Sequence, residues 1–299
     1  MISRWGRYIG AAYRPSVQLP YTVSWALGLT ALFACGTGAV RSWRPDAELL
    51  ITAVTLVVTM LLIRALDDVR DLDYDRRVNP DRPLPSGMVS ERDLVSLVAL
   101  GSALLLLLNA GRGVALAMLA GQMAYTIVVV ALERLAGWPH RDQLALQLAV
   151  NLPILAMLSL YVYFGFLRAE DLRPTAAGLI TVLAVTVSAL CVELGRKATR
   201  QPRPGERSYV TVLGPSGTSL AAFGAAVTAT AAVLVILTPW HSGAGWGWLV
   251  LAPLALPALA VAKFAAGAPH WPIPHTVAYI PAMYTSFFAV GWLTKGTLR

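Results

Sequence analysis

Nine times along the chain, an apolar run long enough to span lipid (about 20 residues) lies between clusters of Pro, Gly or charge. LLITAVTLVVTMLLI at 49–63 is one example. In lipid each backbone N–H and C=O must find its partner within the chain, which restricts such runs to helices. The expected spans lie at roughly 16–40, 46–70, 91–110, 113–136, 142–167, 172–195, 215–238, 244–266 and 274–296. They are dense in small residues, as in AAFGAAVTATAA at 221–232. Small side chains let helices approach closely in a bilayer. The expectation is an all-α integral membrane protein, a nine-helix bundle forming one domain over 1–299.

Composition agrees with a membrane setting. Hydrophobic residues make up 57% and charged residues 13%, against about 25% charged in soluble domains. So little charge cannot coat a soluble surface, which excludes a cytosolic enzyme, a disordered chain and a nucleic-acid-binding domain. The net charge of +8 therefore reads as membrane topology and an anionic ligand. Cys35 and Cys191 both sit in apolar runs and frame neither a disulfide nor a metal site. The first residues hold Arg4, Arg7 and Arg14 without a long apolar core, an interfacial segment and not a cleavable signal. Nine spans put the termini on opposite sides. One side then keeps only Arg41, Arg44, Arg112, Arg168, Arg173, Lys295 and Arg299 of the 24 Lys+Arg. The positive-inside rule assigns the other, basic side to the cytoplasm.

Half of the 16 acidic residues fall within 64–93, RALDDVRDLDYDRRVNPDRPLPSGMVSERD. If the second helix runs on through this segment, Asp68, Asp71 and Asp75 stand at i, i+3 and i+7 on one face. Asp67 lies four residues before Asp71. Like charges at these spacings destabilise a helix, and its negative C-terminal dipole adds to the cost. Two explanations are open. Arg64, Arg70, Arg76 and Arg77 pair with the aspartates on a solvated loop. Alternatively, the carboxylates hold Mg²⁺, which takes one or two carboxylates, keeps waters and bridges to phosphate oxygens. Asp67-Asp68-x-x-Asp71 is also the DDxxD pattern of enzymes that ionise allylic diphosphates.

A second polar island ends the sixth helix, VELGRKATRQPRPGERSY at 192–209. An even number of crossings puts it on the same side as the first. Glu193, Arg196 and Lys197 stand at i, i+3 and i+4, close enough to share a ligand. A diphosphate held between a metal on one island and Lys/Arg on the other would be neutralised from both sides. Arg200, Arg203 and Arg207 read as flanking topological charge.

At these residues the chain resembles the UbiA superfamily of intramembrane prenyltransferases. That family's first motif reads N-D-x-x-D-x-x-x-D. Asp68, Asp71 and Asp75 match its aspartates, and Asp67 stands at the Asn position. The family's R-P-L-x-S-G tail is matched by Arg82-Pro83-Leu84-Pro85-Ser86-Gly87, and Arg14-Pro15 resembles its Arg-Pro before the first helix. The resemblance implies a nine-helix bundle with the polar islands at the ends of helices 2 and 6, facing a central cavity. It further implies Mg²⁺ on Asp67, Asp68, Asp71, Asp75 and Glu193, and diphosphate on Arg14, Arg64, Asp67, Arg196 and Lys197. Asp68, Asp71, Asp75, Glu193 and Lys197 would carry the catalysis. The second motif departs: the family has D-x-x-x-D, and this chain has Glu193-x-x-x-Lys197. A second magnesium would lose a ligand there, so Lys197, with Arg196, is expected to meet the diphosphate directly.

The reaction implied starts from a polyprenyl diphosphate whose tail lies among the helices. Losing diphosphate leaves an allylic cation that a dry cavity protects from water. Aromatic faces stabilise such a cation. The pocket candidates are Tyr21, Trp25, Tyr125, Asn151, Tyr161 and Tyr279, with Gln147, Tyr163 and Tyr284 beside them. Transfer to an acceptor, aromatic or isoprenoid, makes a prenyltransferase. Attack by the substrate's own double bonds makes a terpene cyclase. A transporter or scaffold is the remaining class, and charge concentrated at one membrane face speaks against it.

Overall fold

The structure, a computed structural model, describes residues 2–140, 143–201, 208–241 and 245–296. Among them every long element is a helix. A short helix α1 (Ile2–Tyr8) and a π-helical turn (Ile9–Tyr13) precede α2 (Pro15–Gly36). Next come α3 (Ala47–Arg70), the short α4 (Leu72–Val78) and α5 (Glu91–Leu108). They are followed by α6 (Val114–Ala136), α7 (Leu144–Ala169), α8 (Ala176–Arg196) and α9 (Val210–Leu237). A 3₁₀ helix (Gly245–Leu254) runs into α10 (Ala255–Ala265), and α11 (Ile273–Lys295) ends the bundle. Eight of these elements are long and apolar enough to cross a membrane, the 3₁₀ helix and α10 counting as one. The 18-residue α5 begins with Glu91, Arg92 and Asp93 and makes the ninth long element.

Local chemistry sets the ends. Asp46 caps α3 by accepting from the Leu49 N–H at 2.8 Å. Ser90 and Asp93 form a reciprocal capping box on α5, with bonds of 3.2 and 3.0 Å. Thr175 caps α8. The helix expected from 215 starts at Val210, because a first turn precedes a kink at Gly214 (φ 68°), followed by Pro215. The run at 244–266 begins as 3₁₀ helix with Pro253 inside it. Proline removes a donor and disfavours α geometry in the residue before it.

The neighbours form a ring: α2, α3, α5, α6, α7, α8, α9, α10 and α11, which closes back on α2. Both α2 and α7 also touch helices across the ring. The α2–α11 pair packs closely. A Cβ on Gly28 would stand 2.2 Å from the Tyr284 backbone oxygen, and one on Gly291 2.6 Å from the Ala31 Cβ. The core these helices enclose is aromatic, with Trp25, Phe33, Tyr161, Tyr163, Tyr279 and Phe287 all essentially buried.

Where α3 begins, opposite its acidic end, the core closes over a polar network. Arg112 reaches Glu48 (3.0 Å), Asn109 (2.9 Å) and Thr52 (3.0 Å), and it donates a short bond to the Tyr161 hydroxyl. Arg168 pairs with the other Glu48 oxygen at 2.7 Å. A cleft of about 320 Å³ opens beside it, lined by Trp43, Asp46, Glu48 and Phe166 among others. A second groove of about 270 Å³ lies between α3, α5 and α6.

The N-terminal segment is more than interfacial. Trp5 donates to the Asp93 carbonyl (2.8 Å), Arg4 pairs with the Asp93 carboxylate (3.3 Å), and Tyr13 donates to the Val57 carbonyl (2.8 Å). Tyr8 joins Ala65, Val69, Leu72, Leu84, Val89, Leu94 and Val98 in a small core beneath the acidic segment.

Candidate active site

The acidic segment folds as a near-continuous helix. α3 stops at Arg70 and α4 starts at Leu72, yet the Asp71 N–H still bonds the Asp67 carbonyl (2.8 Å) and the Asp75 N–H the Asp71 carbonyl (2.9 Å). The i, i+3, i+7 relation thus largely survives the break. Asp68 and Asp75 are buried, at 3% and 1% exposure.

A buried carboxylate needs partners, and the folded chain supplies them. Asp68 pairs with Arg64 at 2.7 Å through one oxygen and accepts from the Tyr8 hydroxyl at 2.8 Å through the other. Burial, and then the Asp68 charge, push the Tyr8 phenol well above its ordinary range, so it stays protonated and donating. Asp75 pairs with Arg82 at 2.7 Å and accepts from the Asn79 side chain at 2.8 Å. With both oxygens engaged, Asp75 ties the Arg82–Gly87 tail to α4. Arg70 gathers three carboxylates. Its Nη2 lies 3.1 Å from Asp67 and 3.6 Å from Asp71, and its Nε 3.5 Å from Glu133 on α6. Asp73, Arg76 and Arg77 are exposed on α4, where Arg76 lies 3.4 Å from Asp73; the charges are solvated, on a helix and not on a loop.

The second island is built on the last turn of α8. Glu193 is clasped by Arg196 (2.6 Å) and Lys197 (2.7 Å). The Lys197 ammonium also lies 5.4 Å from the Tyr209 ring centroid. Burial, with the Glu193 charge, pushes the Tyr209 phenol up to about 12. Arg200 is engaged elsewhere. It donates to the Phe264 carbonyl (2.5 Å) and lies over that ring (4.9 Å). Arg203, Glu206 and Arg207 lie outside the described residues.

The two islands stand at the last turns of α3 and α8. Arg14 stands apart. It is exposed, in left-handed backbone between the π turn and α2. Of the pocket candidates, Tyr21 contacts Trp25 edge-on (5.9 Å), and Trp25 stacks on Tyr284 (6.0 Å, 13°), joining α2 to α11. Tyr279 is buried on α11. Tyr125 bonds the Val150 carbonyl (2.9 Å) and so braces α6 against α7. Tyr161 belongs to the Arg112 network at the other end. Asn151 and Gln147 are half-buried on α7.

Reading the sequence missed Tyr8 and Glu133. Nothing local marks Tyr8, whose partner is 60 residues away. Glu133 did carry a signal. A carboxylate in the last turn of an apolar helix opposes the dipole and is costly unless a cation meets it.

The donor chemistry fits magnesium: several hard carboxylate oxygens at one helix end, opposite cations suited to phosphate. Among the described residues no three of His, Cys, Asp and Glu group tightly enough to hold a metal by themselves. A magnesium that brings phosphate oxygens and water needs only one or two carboxylates.

The sequence model of the UbiA prenyltransferase family matches residues 22–269. A digeranylgeranylglyceryl phosphate synthase from Methanoculleus marisnigri is 28% identical over 234 residues, 77% of each chain. Its namesake from Metallosphaera sedula is 35% identical over 139 residues, 45% of each. The apo structure of a UbiA homolog from Aeropyrum pernix K1 has the same fold, with TM-score 0.59 at 20% identity over 90% of this chain and 96% of that one. A solved digeranylgeranylglyceryl phosphate synthase gives TM-score 0.55 at 14% identity over 97% and 99%. With the family's pattern running through most of its length, the chain belongs to the UbiA prenyltransferase family.

Proposed function

We propose that the protein ionises a polyprenyl diphosphate at the cytoplasmic membrane face and transfers the prenyl group to an acceptor. The observation that carries this reading is the pair of charged helix ends, the carboxylates of Asp67, Asp68 and Asp71 on α3 and the Arg196–Glu193–Lys197 cluster on α8. A diphosphate between them meets opposite charge on one side and a metal-binding edge on the other.

Mg²⁺ on Asp67, Asp68 and Asp71 would draw electron density from the leaving diphosphate. Lys197 and Arg196 hold the phosphate oxygens as charge builds in the transition state. Turning to the substrate, they release Glu193, which accepts their charge again when product leaves. Tyr8 and Arg64 keep Asp68 in place. The aromatic chain Tyr21, Trp25 and Tyr284 offers faces to the allylic cation, and the buried core keeps water away. Both synthases above are named for a glyceryl phosphate carrying geranylgeranyl groups, which favours an isoprenoid acceptor over an aromatic one. Lys197, protonated and paired to the diphosphate, cannot serve as the base that takes a proton from an acceptor, and that favours cyclisation as the second reading.

The test uses purified protein in nanodiscs with labelled geranylgeranyl diphosphate and Mg²⁺. Diphosphate release that depends on an added isoprenoid or aromatic acceptor supports transfer. Cyclic hydrocarbon or alcohol in stoichiometric yield without acceptor overturns it and establishes a cyclase. Asp68→Asn and Asp71→Asn should each lower turnover by about 10²-fold or more. Full activity in both variants, or in excess chelator, would refute the metal reading.

A further inference from the structure

Arg70 bridges three carboxylates, Asp67, Asp71 and Glu133, at 3.1, 3.6 and 3.5 Å. The first two residues belong to the acidic motif. The third comes from a different helix, and its side chain is almost wholly buried, at 5% exposure. Arg70 itself is 18% exposed. We propose that Arg70 is a resident counter-cation that competes with the metal for the Asp67–Asp71 edge until a diphosphate draws it away, with Glu133 as the latch that keeps it in place.

This rests on the reading of the acidic segment as a magnesium–diphosphate site. Asp67 and Asp71 cannot bind a metal closely while a guanidinium bridges them. A phosphate anion arriving between the islands offers Arg70 a better partner, because guanidinium and phosphate form bidentate, charge-assisted bonds. The carboxylates are then free for the metal that enters with that anion. Metal and diphosphate binding are therefore linked, each tightening the other by the same factor. The lone metal is held weakly, which keeps the site from filling in the absence of substrate. Glu133 serves as a positioning residue. It touches neither metal nor substrate and acts by fixing Arg70 from α6.

The test measures Mn²⁺ binding by electron paramagnetic resonance, with and without inorganic pyrophosphate. Purified wild type, Arg70→Gln, Arg70→Lys and Glu133→Gln are compared. Wild type should bind Mn²⁺ weakly alone and at least about fivefold more tightly with pyrophosphate. Arg70→Gln should bind Mn²⁺ alone more tightly than wild type and lose most of the pyrophosphate effect. Arg70→Lys should keep part of the coupling. Glu133→Gln, which leaves Arg70 present but unlatched, should shift the same way by a smaller factor and carries the test if Arg70→Gln does not fold. Mn²⁺ affinity that is unchanged or weaker in both Arg70→Gln and Glu133→Gln overturns the counter-cation role alone. Absence of Mn²⁺ binding in every protein, with or without pyrophosphate, overturns the metal reading beneath it.

Discussion

At the scale of single residues, the site is a set of charges that satisfy one another before any ligand arrives. Each aspartate of the first motif faces an arginine of the same chain, and Glu193 faces two cations. Such pairing lets carboxylates persist at the end of an apolar helix, where unpaired charges would be costly. Lys197 is the residue on which the departure from the family pattern turns. Lys197→Ala should raise KM for prenyl diphosphate and lower kcat, with a loss of about 1.5–3 kcal/mol, the worth of a charged hydrogen bond. Lys197→Arg should recover part of it, and Lys197→Asp should fail because it removes a cation and sets a second carboxylate beside Glu193. Steady-state kinetics across prenyl diphosphate concentrations checks this, and wild-type constants for Lys197→Ala would reduce the residue to topological charge.

Between elements, a close junction is the α2–α11 contact, where Gly28 and Gly291 let the two helices approach. The aromatic chain Tyr21–Trp25–Tyr284 crosses the same junction, so its packing also sets the wall proposed above for the allylic cation. Gly28→Ala places a methyl group 2.2 Å from the Tyr284 carbonyl oxygen, and the helices must part to admit it. Overpacking of this kind costs about 1–3 kcal/mol. Thermal unfolding in detergent should show a lower Tm for Gly28→Ala. Gly224→Ala, where an added Cβ meets nothing within 4 Å, should leave Tm unchanged. Equal Tm for Gly28→Ala and wild type would mean that the junction yields freely.

For the whole molecule, the acidic and basic islands share one end of the bundle and the Arg112 network closes the other. From the charge bias between the two sides of the membrane we propose that the islands face the cytoplasm. Cysteine-accessibility mapping in a Cys35-free background should label position 86 from the cytoplasmic side and position 173 from the opposite side. A reporter fused after Arg299 should lie on the side of position 173. Finding positions 86 and 299 on one side would refute the nine-span topology.

How much of this is legible in the linear chain follows from the range of the forces involved. Helix existence and approximate ends are local: apolar length, caps such as Ser90–Asp93, and Pro or Gly breaks write them into neighbouring residues. The acidic motif and its Arg82–Gly87 tail are local too, which makes the family resemblance readable from 64–93 alone. Partnership is not local. Tyr8 meets Asp68 and Arg70 meets Glu133 only because α1, α3 and α6 converge, and no spacing rule links residues 60 positions apart. The same convergence gave Tyr161, an aromatic pocket candidate by type, a polar task beneath Arg112 at the far end. Apolar periodicity and charge determined by themselves that this chain is a helical membrane bundle with its charge gathered into two islands. Only the tertiary structure decided which cation answers which carboxylate, because burial removes water as a competing partner and leaves each charge to the side chain that packing brings within reach.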